Sequence, residues 1–372
     1  MIRVDSTNPP GREGPLARRI ARDMRSLGLQ VHTCSFAPNR PNIIATLKSP
    51  LIKNRKKRPS LLLTPHIDTV PIGKGWTCDP LGAQIKNGRI YGRGASDDKG
   101  NLACCLEVMR SLCEDKVILD YDLIMAATVD EETGSHHGII PLLEKDILRP
   151  GAALILDADN ADAIIIQKGL LHCRIKVRGK KAHGAYNWRG INAIEVAARI
   201  INRLKAHKFE YVRHPLLRKP SVNIGKIHGG DKVNIVADFC EFALDLRFLP
   251  KTRPETVLKE IHRIIKTETK TYQLEIDSLQ APYEITRKHP LVRAYTQAGR
   301  RLGVDVKIKG SEGATVMTFF GRHGIPAFAT GYGTPGTAHT TDEFAELRTY
   351  YKGARILEYF VKNLPTEIIS TK

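Results

Sequence analysis

Apolar positions recur along this chain with two different periods, and the change from one to the other divides it. Residues 14–28, GPLARRIARDMRSLG, carry apolar side chains at helical spacing and close on Gly28, which predicts a helix with a C-terminal glycine. Strand-like runs follow at 30–36, 43–48 and 60–64. A glycine-rich loop, GRGASDDKG, then leads into a helix predicted over 99–114. YDLIMAATVDEETG and GAALILDADN read as short buried strands, each ending in acidic residues. Buried strands alternating with helices imply an α/β domain with a mostly parallel sheet covered on both faces. In such sheets functional groups collect just past the carboxyl ends of the strands.

Near Lys168 the period changes. LLHCRIKVRG, SVNIGKIHGG, VNIVADFCEFALDLRFLP and TYQLEIDSLQ alternate with period two, while GINAIEVAARIINRLKAH and PETVLKEIHRIIKTETK are amphipathic helices. Strand, helix, two strands, helix, strand describes a small α+β sandwich with an antiparallel sheet. It is predicted as an insertion over residues 170–283, which leaves 1–169 and 284–372 as one discontinuous domain. HPLVRAYTQAGRRLG, GATVMTFFGRHG and IPAFATGYG resume the first pattern, and a closing helix is predicted over 343–363.

Composition narrows the classes. A chain of 372 residues, 42% hydrophobic and 26% charged, is ordinary for a globular protein of two domains. No apolar stretch approaches the roughly 18–20 residues that span a bilayer, and the N-terminus lacks the apolar core of a secretory signal. The expected compartment is the cytoplasm, with no membrane partner. Seven cysteines, odd in number and without a C-x-x-C pair, sit mostly in apolar runs and read as reduced core residues. The net charge of +19 is high, and 22 basic against 11 acidic residues fall within 170–283. The one dense basic run, Lys53–Arg58, lies between two strand-like segments and reads as a solvated loop. With 6% aromatic residues and no interleaving of aromatics with basic residues, no nucleic-acid partner is expected.

Several strand or loop ends present metal-type ligands: His66 with Asp68, Asp97 in GRGASDDKG, Glu131 and Glu132 in TVDEETG, and Asp157 in ILDADN. His339, in TPGTAHTTDEF, follows the last strand after the insertion. Singly, a histidine is more often a core or surface residue, and acids after strands commonly cap helices. Together these acids would repel one another at one sheet edge, and such a cluster needs cations. Two histidines with three or more carboxylates and no thiolates suit Zn²⁺, or the similar Co²⁺ or Mn²⁺. They supply enough ligands for two ions that share a bridging carboxylate.

PHIDTVP, the span Trp76 to Pro80, GRIYGRGASDDKG, DEETG, RGKKAHGA and AHTTDE stand in one order and spacing. On these motifs nearly the whole chain resembles the di-zinc metallopeptidase and amidohydrolase family that includes acetylornithine deacetylase, succinyl-diaminopimelate desuccinylase, aminoacylase and carboxypeptidase G. The resemblance implies two Zn²⁺ ions, one held by His66 and Asp157, the other by Glu132 and His339, with Asp97 bridging them. It makes Asp68 the orienter of His66 and Glu131 the general base. It casts the insertion as a lid and homodimerisation domain, in which His183 reaches the neighbouring active site as an oxyanion stabiliser. Asn234 and Arg247 match substrate contacts, Arg247 as a clamp on a substrate carboxylate.

The chain departs from that pattern in two places. Where many deacetylases of the family have Glu followed by Pro, this chain reads DAD, so Asp159 stands as a rival to Asp157. Where the family often reads Gly-Thr-Asp-Ala, it has SEGATVM, with Glu312 and Gly313. His136, His137, Asp130 and Asp98 read as structural. The expected activity is metal-dependent hydrolysis of an amide bond in a small carboxylate-bearing substrate, an N-acyl amino acid or a short peptide. The alternatives are a di-, amino- or carboxypeptidase of the same family and, from another class, a binding protein on the same fold.

Overall fold

The computed structural model describes residues 1–53 and 58–370. Residues 54–57 of the predicted basic loop lie outside the described residues. The chain divides into two compact units, one of Met1–Ile165, Ile285–Lys309 and Thr315–Lys372, the other of Ile166–Glu284 and Gly310–Ala314.

In the first unit, Asp122–Ala127, Ser60–Thr64, Ala152–Leu156 and Ala327–Thr330 lie side by side and parallel. Pro41–Leu47 and Gln30–Ser35 extend one flank antiparallel, and Ala163–Gln167 joins the other. Every residue of Ser60–Thr64, Ala152–Leu156 and Ala327–Thr330 is buried, as a sheet covered on both faces requires. The apolar runs are therefore the centre of the sheet, and their carboxyl ends share one edge.

The amphipathic segments fold as read. Gly14–Ser26 is helical, and Gly28 takes φ +78°, so that the Leu29 N–H turns back to Met24 O. Lys99–Glu114 follows the glycine-rich loop. The closing helix starts later than its pattern indicates, at Leu347, because Phe344–Glu346 pairs instead with Arg89–Tyr91, which in turn pairs with Gln84–Lys86. This small sheet fastens the chain after His339 to the loop before Asp97.

The second unit is a four-stranded antiparallel sheet in the order Ser221–Gly229, Phe239–Phe248, Gly169–Arg178, Tyr272–Gln280. Along Phe239–Phe248 buried and partly exposed residues alternate strictly. The buried face packs on helices Ala193–Ala206 and Pro254–Lys266 through a core that includes Ile175, Ile200, Phe242 and Ile261. The alternating run starting at Val233 is only partly a strand, which begins at Phe239 and leaves Asn234 in the preceding loop.

Candidate metal centre

Strand direction delivers the candidate ligands. Pro65 ends the run Ser60–Thr64, and a parallel bridge between His66 and Thr128 holds His66 and Asp68 beside the turn Glu131–Thr133. Asp157 directly follows Ala152–Leu156, its N–H bound to Thr330 O at 2.8 Å.

Asp97 stands at the middle. Its Oδ1 lies 2.9 Å from His66 Nε2 and its Oδ2 3.1 Å from His339 Nε2. His339 Nε2 is also 3.1 Å from Glu132 Oε1. Two overlapping clusters result, each with its donor atoms within 4.8 Å of one another: His66, Asp97, Asp98 and Asp157, and Asp97, Glu132 and His339. Asp97 belongs to both. Asp159, the sequence rival of Asp157, belongs to neither.

The supporting contacts separate ligands from scaffolding. Asp98 faces inward: its Oδ2 accepts the His66 N–H at 3.0 Å and its Oδ1 the Asn101 side-chain amide at 2.7 Å. Asp68 is fully buried, and its carboxylate accepts the N–H groups of Glu131 and Glu132, each at 3.1 Å. Its Oδ1 is 3.5 Å from His66 Nδ1, which lies closer, at 3.1 Å, to the Asp68 carbonyl oxygen. Asp68 therefore touches both the His66 ring and the Glu131 turn. Asp130, in the left-handed region at φ +68°, opens that turn and accepts from Thr133 Oγ1 and the His137 N–H.

Crowding sets the electrostatics. Burial pushes the Asp157 carboxyl up to about 7, with the Asp97 charge adding to it, and raises Glu131 well above the carboxylate range. Hydrogen bonds to Asp97 and Glu132 lift His339 to about 10. Burial alone would lower His66, but Asp98, Asp68 and Asp97 raise it instead. The upward shifts of His66, His339 and Asp157 together mark a donor set with more negative charge than the chain itself offsets. Imidazole and carboxylate donors around one shared carboxylate fit two divalent cations, with His66 and Asp157 on one side, Glu132 and His339 on the other.

Three expected site residues lie in the second unit. In an exposed turn, His183 Nδ1 accepts the Ala185 N–H at 3.1 Å, which leaves its proton on Nε2. Asn234 is beside it: the Gly184 N–H donates to Asn234 O at 2.8 Å, and His183 and Ile235 form a bridge. Arg247 lies toward the far end of Phe239–Phe248 from that loop, its Nε bound to Asp245 Oδ1 at 2.7 Å. In the SEGATVM stretch, Glu312 pairs with the buried Lys168 at 2.6 Å and accepts the Arg218 N–H at 2.8 Å. Its carboxylate is thereby used within the second unit.

The sequence profile described as peptidase family M20/M25/M40 matches residues 62–363. The chain belongs to this family. An acetylornithine deacetylase of Shigella sonnei is 30% identical to it over 308 residues, 77% of this chain and 76% of that one. A tripeptidase of Staphylococcus aureus superposes with a TM-score of 0.83 at 24% identity, covering 98% of this chain and 95% of that one. A dinuclear metal-binding peptidase of Bacillus subtilis superposes with a TM-score of 0.69 at 18% identity, over 94% and 92% of the two chains. As an M20 member the chain is a metal-dependent hydrolase, and its mixed α/β unit with a separate antiparallel sheet is the M20 fold.

Glu343 has a role that sequence reasoning did not assign. Glu343 is buried and accepts the N–H groups of Gly94, Ser96 and Asp97 at 2.8–3.1 Å while pairing with Arg93 at 2.7 Å. It holds the loop that presents Asp97. Its signal was its place as the last residue of AHTTDE, four residues after His339, where no role was assigned to it.

Proposed function

We propose that this chain hydrolyses the amide bond of a small carboxylate-bearing substrate, an N-acyl amino acid of the acetylornithine type, using two Zn²⁺ ions. The observation that carries the reading is Asp97, with one carboxylate oxygen toward His66 and the other toward His339. Two cations bound there supply Lewis acidity, acidifying water and polarising a carbonyl. Glu131 takes the proton of the attacking water on its carboxylate and returns it to the leaving amine. Arg247 and Asn234 are assigned to the substrate carboxylate.

His183 is assigned to the developing oxyanion, through the Nε2–H that its backbone contact leaves free to donate. We assign that role to His183 of the partner subunit in a homodimer formed through the second unit. Trp188, Ile191 and Val233, each more than half exposed, surround the His183 and Asn234 loops in sequence and give that unit an apolar surface to cover. A second reading, short-peptide hydrolysis, is supported by Asp157 in place of the Glu-Pro of many deacetylases. A panel of N-acyl amino acids and di- and tripeptides, assayed with the zinc- and cobalt-loaded chain, separates the two. Preference for acyl amino acids supports the first, preference for peptides the second, and hydrolysis of neither refutes both.

A further inference from the structure

The segment before the first helix reaches the back of the metal centre. The Asn8 N–H donates to Thr69 O at 2.8 Å, the Thr69 N–H donates to Ser6 O at 3.1 Å, and Thr7 and Thr69 form a parallel bridge. This pairing buries the Asn8 side chain beside Asp68. The Asn8 amide donates to Asp68 Oδ2 and to Thr133 Oγ1, both at 2.8 Å, and lies 3.4 Å from Asp130 Oδ1. Behind it, Arg40 pairs with Asp130 at 2.9 Å and with the fully buried Glu13.

We propose that Asn8 is a positioning residue for the general base, locking the Asp68 carboxylate against the Glu131–Thr133 turn. One amide ties both ends of the contact that aims Glu131: the carboxylate that receives the Glu131 and Glu132 N–H groups, and the hydroxyl at the end of that turn. Asn8 is suited to this place because its amide donates twice and carries no charge. A carboxylate there would face Asp68 and Asp130, and an apolar residue would leave Asp68 short of a buried donor. The proposal rests on the reading of Glu131 as the base.

The test uses Asn8→Ala, Thr133→Val and Glu131→Gln in the full chain, with steady-state kinetics, zinc titration and thermal melting. Asn8→Ala is expected to lose about 10–100-fold in kcat with little change in KM or in zinc stoichiometry. Thr133→Val, which removes the other acceptor, is expected to lose less in the same parameter, and it carries the test if Asn8→Ala does not fold. Wild-type kcat in the folded variant, with Glu131→Gln inactive, overturns the role of Asn8 and leaves the base in place. An active Glu131→Gln overturns both.

Discussion

The carboxylate of Asp68 accepts the backbone N–H of Glu131 at 3.1 Å. A buried acid that was expected to serve only the His66 ring thus also fixes the turn carrying both the proposed base and the proposed metal ligand Glu132. Asp68→Ala should therefore disturb more than His66. It is expected to lower kcat about 10–100-fold and to weaken zinc binding at the Glu132 side as well as at the His66 side. Calorimetric titration of the variant checks this: weakening of one site only restricts Asp68 to His66.

Glu131→Gln keeps the size of the side chain and removes its basicity. Turnover should fall about 10²–10⁴-fold while metal content, read by elemental analysis, stays at the wild-type level. Substantial activity in the variant removes Glu131 from the proton transfer.

Glu343→Gln leaves Arg93 buried without its counter-charge, since the pair is nearly inaccessible, at 1% and 4% side-chain exposure. Loss of one partner of such a pair costs about 3–5 kcal/mol. Thermal and urea unfolding should show that loss, together with weaker zinc binding as the Asp97 loop relaxes. Unchanged stability would mean that water reaches Arg93.

Metal binding to the stripped chain should release protons. Hydrogen bonds to Asp97 and Glu132 hold His339 protonated up to about pH 10, and it must lose that proton to ligate. Apparent zinc affinity is therefore expected to rise with pH through the neutral range. Titration in buffers of different ionisation enthalpy measures the protons released, and a count of zero contradicts the assignment of His339 as a ligand.

If His183 acts on the partner subunit's site, mixing His183→Ala chains with Glu131→Gln chains should restore part of the activity. Heterodimers then hold one site with an intact base and an intact histidine. A mixture that stays inactive after confirmed subunit exchange contradicts action of His183 on the partner subunit's site.

The metal cluster was largely legible in the sequence because burial and chemistry coincide there. His66, Asp157 and the pair Glu131 and Glu132 each follow an apolar run too hydrophobic to be anything but a central strand. What stayed hidden were supports that act on loops: Glu343 accepts the Asp97 N–H and Asn8 donates to the Asp68 carboxylate, in segments that have no period to betray them. Asp157 and Asp159 could not be separated by pattern, since two residues apart on an extended chain share a face. The start of Phe239–Phe248 was misjudged because alternation ran on through Val233–Asp238, where the chain leaves the sheet to meet the His183 turn.

The central claim is a two-cation centre organised by Asp97, and titration of the stripped chain with Zn²⁺, with amide hydrolysis followed in the same samples, tests it most directly. Two equivalents should bind in the wild-type chain, with hydrolysis appearing as they fill, and Asp97→Ala should lose both the stoichiometry and the turnover. Full hydrolysis by the metal-free chain, or two equivalents bound with unchanged affinity after Asp97→Ala, would contradict the account.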